Sequence, residues 1–252
     1  MPKIRVMPTL LFKDVGLVKG VGFDSWRRVG SAMQAVKVYN MREVDELVYL
    51  DITATNDGRP PDFETVDDLA DECFMPLTVG GGVRTVEHVR RLLKVGADKV
   101  AINSAAIEHP ALIREIADRF GSQCVVVSID ARRGADGTYE CYTHSGRRPA
   151  GRNPAALAKD AEAMGAGELL LTSIDRDGTM QGYDVELTRL VSDAVSIPVI
   201  ASGGAGTYAH MAEVLRESRA SAVAAASMYH FTEQTPLEAK QHLRAAGFPV
   251  RL

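Results

Sequence analysis

The stretch P-L-T-V-G-G-G-V-R (76–84), with the segment behind it, decides how this chain reads. Pro76–Val79 is a short apolar run of strand type. Gly80-Gly81-Gly82 ends it. T-V-E-H-V-R-R-L-L-K-V-G (85–96) follows, with Val86, Val89, Leu92 and Leu93 at helical spacing. Gly96 stands where a helix C-cap would. Strand, tight turn, helix is one βα unit, and the same order returns along the chain. Strand-type runs lie at Ile4–Phe12, Glu46–Ile52, Pro76–Val79, Lys99–Asn103, Cys124–Asp130, Glu168–Ser173, Pro198–Ala201 and Ala222–Ala226. Helix-like segments separate most of them, among them N-P-A-A-L-A-K-D-A-E-A-M-G-A-G (153–167), with Gly165 at its end. This alternation predicts a parallel sheet covered by helices. Eight such units in 252 residues predict an α/β fold, a closed (β/α)8 TIM barrel forming a single domain over 1–252.

A weak internal repeat supports the barrel. P-L-T-V-G-G-G-V-R (76–84) resembles P-V-I-A-S-G-G-A-G (198–206), and K-V-A-I-N-S-A-A (99–106) resembles A-V-A-A-A-S-M-Y (222–229). The offset is about half the chain, as two similar half-barrels would give. Residues 131–153 (A-R-R-G-A-D-G-T-Y-E-C-Y-T-H-S-G-R-R-P-A-G-R-N) read as an exposed hairpin and loop inserted after the fifth strand. Lys13–Gly16 reads as a loop after the first.

Bulk properties exclude several classes. Hydrophobic content is 46% and charged content 25%, ordinary for a globular protein, and the net charge of −4 gives no electrostatic reason for nucleic-acid binding. Cys73, Cys124 and Cys141 have no Cys-x-x-Cys or Cys/His spacing, so buried or incidental thiols in a reducing compartment are expected. No HExxH and no GxGxxG occurs, so neither a metal nor a dinucleotide cofactor is expected. The N-terminal M-P-K-I-R-V-M-P-T-L-L has only a short apolar run, and no stretch approaches membrane-spanning length. A cytoplasmic protein is expected.

The chemistry gathers at strand ends. Glycine turns let backbone N–H groups approach a ligand closely. Gly81-Gly82 and Gly203-Gly204 follow strand-type runs at half-chain spacing, and each is followed by a strand that ends in serine, Ser104 or Ser227. Two such sites suggest a ligand with a phosphate at each end. The alternative is a pair of tight turns with no ligand. Asp51, Asp130, Asp175 and Asp177 lie at or just past strand ends, where a barrel places its acids and bases; loop capping is the other role for them. At the opposite end, Arg5, Glu46, Lys99 and Glu168 stand at strand starts. They form either a ring on the barrel floor or ordinary surface ion pairs.

These stretches resemble the cyclase subunit of imidazole glycerol phosphate synthase, the HisF family. The carriers run from about Arg5 to Arg251: D-E-L-V-Y-L-D-I-T (45–53), P-L-T-V-G-G-G-V-R (76–84), G-A-D-K-V-A-I-N-S-A-A (96–106), R-F-G-S-Q-C-V-V-V-S-I-D-A-R-R (119–133), L-L-T-S-I-D-R-D-G-T-M-Q-G-Y-D (170–184) and S-I-P-V-I-A-S-G-G-A-G (196–206). The resemblance implies a barrel paired with a HisH-like glutaminase, whose ammonia enters through the floor and reacts at the mouth with a bisphosphorylated ribulosyl intermediate. It implies phosphate contacts at Gly82, Asn103 and Ser104 on one side, and at Asp177, Gly178, Gly204, Ala226 and Ser227 on the other. It assigns Arg5, Glu46, Lys99 and Glu168 to an ammonia gate and Asp98 to the glutaminase contact.

One position departs from the family. The family's acid/base pair is two aspartates, ending strands one and five. The second matches Asp130. The first matches Leu11, in P-T-L-L-F-K-D (8–14), where the family reads Cys-Leu-Asp. Leucine exchanges no proton, and losing one positioned acid or base typically costs about 10²–10⁴-fold in rate. An aliphatic residue here resembles the acetamidino-modification (AglZ/WbuZ-like) side branch, in which barrel and glutaminase supply ammonia and a separate amidotransferase puts nitrogen onto a surface-polysaccharide sugar. Two other expectations stand beside it. One is a working histidine-pathway cyclase, with Asp14 as the only nearby substitute acid. The other is a scaffold or regulatory barrel that binds phosphorylated ligands and activates the glutaminase.

Overall fold

The computed structural model describes residues 3–14 and 16–252. Eight parallel strands form the barrel: β1 (Arg5–Lys13), β2 (Leu47–Asp51), β3 (Leu77–Gly80), β4 (Lys99–Ile102), β5 (Val125–Arg133), β6 (Glu168–Ser173), β7 (Val199–Ser202) and β8 (Ala222–Ala225). Each pairs in parallel with the next, and β8 returns to β1 with Arg5 opposite Ala222 and Pro8 opposite Ala225. The sheet therefore closes as a (β/α)8 TIM barrel, as the alternation predicts. Boundaries mostly agree with the sequence reading to within one residue. The exception is β5, which continues to Arg133, because its end pairs antiparallel with Tyr139–Thr143. β1 reaches Lys13 for the same reason, pairing with Gly16–Val21.

The helices form where the polar caps stand. Thr85 accepts a hydrogen bond from His88 N and opens Val86–Lys94, whose Val89 and Leu92 are buried against the sheet. Asn153 accepts from Ala155 N and Ala156 N ahead of Pro154–Ala163, with Pro154 in the first turn. Thr235 and Glu238 close a reciprocal capping box on the last helix, Pro236–Ala245. Most of the apolar core fills the shell between sheet and helices.

Inside the barrel the side chains stack in layers, because alternate residues of each strand point inward. Arg5, Glu46, Lys99 and Glu168 make the floor. Met7, Val48, Ala101, Val126, Leu170, Ile200, Ala222 and Ala224 make an apolar middle layer, with Leu50 packed against it. Thr9, Leu11, Asn103, Ser128, Asp130 and Thr172 open into the mouth.

The loops differ from the sequence reading in three places. The segment after β1 is not simply a loop: Gly16–Val21 and Asp24–Gly30 form a two-stranded hairpin. The insertion after β5 is a hairpin as expected, but its Tyr139, Cys141 and Thr143 are buried, since their faces pack on the barrel. Ser104 and Ser227 do not end strands. They open the short helices Ser104–Glu108 and Ser227–Phe231, because the chain turns helical directly after β4 and β8.

Candidate functional site

The floor is a closed ion-pair ring. Arg5 Nη1 lies 2.8 Å from Glu46 Oε2, and Arg5 Nη2 is hydrogen-bonded to Glu168 Oε1. Lys99 Nζ lies 2.8 Å from Glu46 Oε2 and 3.0 Å from Glu168 Oε2. Thr78 Oγ1 donates to Glu46 Oε1 at 2.8 Å. The carboxylates are almost sealed, while Arg5 and Lys99 keep a quarter or less of their side-chain surface in water. Two cations bridging two anions across the barrel axis exceed what scattered surface pairs would give. Asp98 sits exposed beside this floor, its Oδ2 accepting from Leu77 N at 2.8 Å.

The mouth, at the other end of the apolar layer, holds a cavity of about 200 Å³. Asp130 projects into it from β5. Asn103 Nδ2 donates to Ser128 O at 3.1 Å and Tyr142 O at 3.2 Å, and lies 3.4 Å from Asp130 Oδ2. Burial pushes the Asp130 carboxyl up to about 7; the nearby Asp177 charge adds to this, and a Thr172 hydrogen bond opposes it. A carboxyl poised near neutrality can give or take a proton at ordinary pH.

Leu11 lines the same cavity from β1, buried, with Leu50 beside it in register on β2. β1 and β5 are four strands apart, so Leu11 and Asp130 stand on opposite walls. Asp14 is exposed at a turn outside the lining.

The two glycine turns flank the cavity. Gly81 and Gly82 line it after β3, with Ser104; Gly203 and Gly204 line it after β7, with Asp177, Gly178, Ala226 and Ser227. The two sides differ in their hydrogen bonding. Ser104 Oγ accepts from His144 N at 3.0 Å, and Thr55 Oγ1 takes the N–H of Gly82 at 3.3 Å. Ser227 Oγ is buried with no partner among the described residues. An unpaired buried hydroxyl is costly, and a phosphate oxygen would satisfy it.

The remaining strand-end acids do structural work. Asp51 Oδ1 accepts from Thr53 N, Thr53 Oγ1 and Ala54 N at 2.9–3.0 Å, ordering the turn after β2. Asp175 accepts from Arg133 N at 2.9 Å and does not line the mouth.

The sequence reading missed Lys19. It comes from the hairpin after β1, and its Nζ donates to Asp177 Oδ2 at 2.6 Å inside the mouth. Only 2% of its side chain is exposed. Gly22 N donates to Asp177 O at 2.8 Å, and Arg27 stacks 3.6 Å above the Phe231 ring, so the hairpin is fastened over the cavity at three points. Gly178 is the residue this approach requires. Its φ is +76°, and a Cβ there would lie 2.1 Å from Gly20 O. Burial and the Lys19 charge lower the nearby His230 to about 4, leaving it neutral. The local signal was the short apolar run of Leu17, Val18 and Val21 ahead of Gly22, which reads as a strand entering a turn.

A closed barrel with a buried acid and two glycine turns at its mouth has the architecture of a (β/α)8 enzyme. Residues 5–235 match the histidine biosynthesis protein family, and the chain belongs to that family of HisF/HisA-like barrel enzymes. Among the described residues no helix is long and apolar enough to cross a membrane, and no group of His, Cys, Asp and Glu is arranged to hold a metal ion.

Proposed function

We propose that this chain is a HisF-like synthase subunit that receives ammonia from a HisH-like glutaminase through the barrel floor and delivers it for amidation, the formation of an acetamidino group on a surface-polysaccharide sugar. The observation that carries this reading is the floor ring of Arg5, Glu46, Lys99 and Glu168 beneath a wholly apolar layer. An apolar layer admits neutral ammonia far more readily than ammonium, since an unpaired ion pays a large desolvation penalty there. The ring is a polar gate to that layer. Met41, 77% exposed, and Phe74, 85% exposed, lie on the floor side with Asp98 and support docking of a partner there. Leu11 supports the nitrogen acceptor being other than the histidine-pathway intermediate, because β1, on the wall opposite Asp130, presents no carboxyl to the mouth. The unpaired Ser227 hydroxyl and the glycine turns suit a phosphorylated ligand. Three free thiols suit a reducing cytoplasm.

The cyclase of histidine biosynthesis is the second reading, and the near-neutral Asp130 beside Asn103 favours it. One assay separates the two. The purified chain is given ammonium salt at high pH with the ribulosyl bisphosphate intermediate, and imidazole glycerol phosphate is measured, with Leu11→Asp run alongside. No wild-type turnover, with activity gained in Leu11→Asp, is expected. Clear wild-type turnover would overturn the amidation reading in favour of the cyclase.

A further inference from the structure

A second pocket lies outside the mouth, between the hairpin and the turn at 145–147. Lys13, Phe23, Trp26, Arg132 and Arg147 line it, with Asp24 as its carboxylate. Phe23, Trp26 and Ser145 also line the mouth, so the two aromatic side chains stand in the wall between the cavities. Of the three cations only Arg132 is paired, its Nε lying 3.4 Å from Asp175 Oδ1. Among the described residues the side chains of Lys13 and Arg147 have no hydrogen bond or ion pair. Asp24 Oδ1 accepts from Ser25 N at 2.7 Å. The pocket is thus cationic in a chain whose net charge is −4.

The backbone around it is unusual. Phe23, Ser25, His144 and Ser145 all have φ between +54° and +63°, a left-handed conformation rare outside glycine. Such residues concentrate at ligand sites, where the surrounding structure holds them in place. Gly146 lets the turn close on the hairpin: a Cβ there would meet Phe23 Cδ2 at 2.9 Å.

We propose that this outer pocket binds a nucleoside diphosphate, with the base stacked on Trp26 and the phosphates held by Arg147 and Lys13. A planar base has a π-face that an indole matches, and a guanidinium engages phosphate oxygens in a bidentate fork. Arg132, already charge-balanced by Asp175, closes the side of the pocket. The proposal goes beyond the ammonia-delivery reading and does not depend on which acceptor that reading names.

Trp26 is the only tryptophan in the chain, so its fluorescence reports on the wall that the pocket shares with the mouth. The full chain is titrated with uridine diphosphate, exciting at the red edge of the indole band, and binding is repeated by calorimetry. Saturable quenching is expected. Arg147→Ser, at an exposed and unpaired side chain, should retain the fold by circular dichroism and weaken binding by about tenfold or more. Uridine alone and pyrophosphate alone should each bind at least about tenfold more weakly than the diphosphate. The proposal is overturned if no saturable quenching occurs, or if pyrophosphate competes as well as uridine diphosphate, which would mean anion attraction only. It is also overturned if Ser227→Asp abolishes binding while Arg147→Ser leaves it unchanged, which would put the nucleotide in the mouth.

Discussion

Replacing Asp130 by Asn should stabilise the protein above neutral pH while leaving it unchanged in acid. The Asp130 carboxyl titrates near 7 in the folded chain against an ordinary value of 3.8. That difference corresponds to about 4 kcal/mol against folding with the ionised group, at about 1.4 kcal/mol per pH decade. The mouth is open to solvent and Asp130 is only half-buried, so screening leaves about 2–4 kcal/mol. The sign follows from the folded value lying above the unfolded one. Well below pH 3.8 both states carry the proton and nothing is lost. Between about pH 4 and 7 the unfolded chain releases its proton while the folded one retains it, so stability falls as pH rises. Above 7 the loss is complete. Asn is nearly isosteric and never ionises. Urea unfolding of wild type and Asp130→Asn at pH 4, 5, 6, 7 and 8 gives the comparison, since every other titrating group cancels in the difference. The variant's advantage should grow from near zero at pH 4 to about 2–4 kcal/mol at pH 8. Parallel stability–pH curves for the two proteins would refute the argument that burial and Asp177 hold this carboxyl near neutrality.

Two further perturbations test how the hairpin is fastened. Lys19→Met strands a buried carboxylate at Asp177 and should cost about 3 kcal/mol in urea unfolding, whereas Lys19→Met with Asp177→Asn should recover at least half of that loss, as expected when the penalty is an unpaired charge. Gly178→Ala places a Cβ on Gly20 O and should lift the hairpin off the mouth, speeding amide hydrogen exchange across 16–30 while the barrel strands keep their protection.

Sequence alone carried the architecture. Strand and helix periodicities, polar caps and glycine turns are local properties, set by backbone geometry within a few residues. P-L-T-V-G-G-G-V-R and the helix behind it could therefore be read where they stand. Leu11 was legible as an aliphatic residue near the end of the first strand; that a carboxyl would stand there is what the family resemblance implies. The structure decided what depends on closure. Arg5 and Glu168 are 163 positions apart and meet only because β8 returns to β1 and the floor residues face one axis. Lys19 and Asp177 are 158 apart, and their pairing needs the hairpin of Gly16–Val21 and Asp24–Gly30, which the sequence does not announce. Asp51 and Asp130 look alike in sequence, each an acid ending a strand. Three hydrogen bonds from the turn after β2 occupy an oxygen of the first, while burial and a neighbouring charge lift the second to near neutrality. Hydrogen bonding and desolvation are set by whatever surrounds a group in space, so no pattern of neighbours along the chain could tell the two apart.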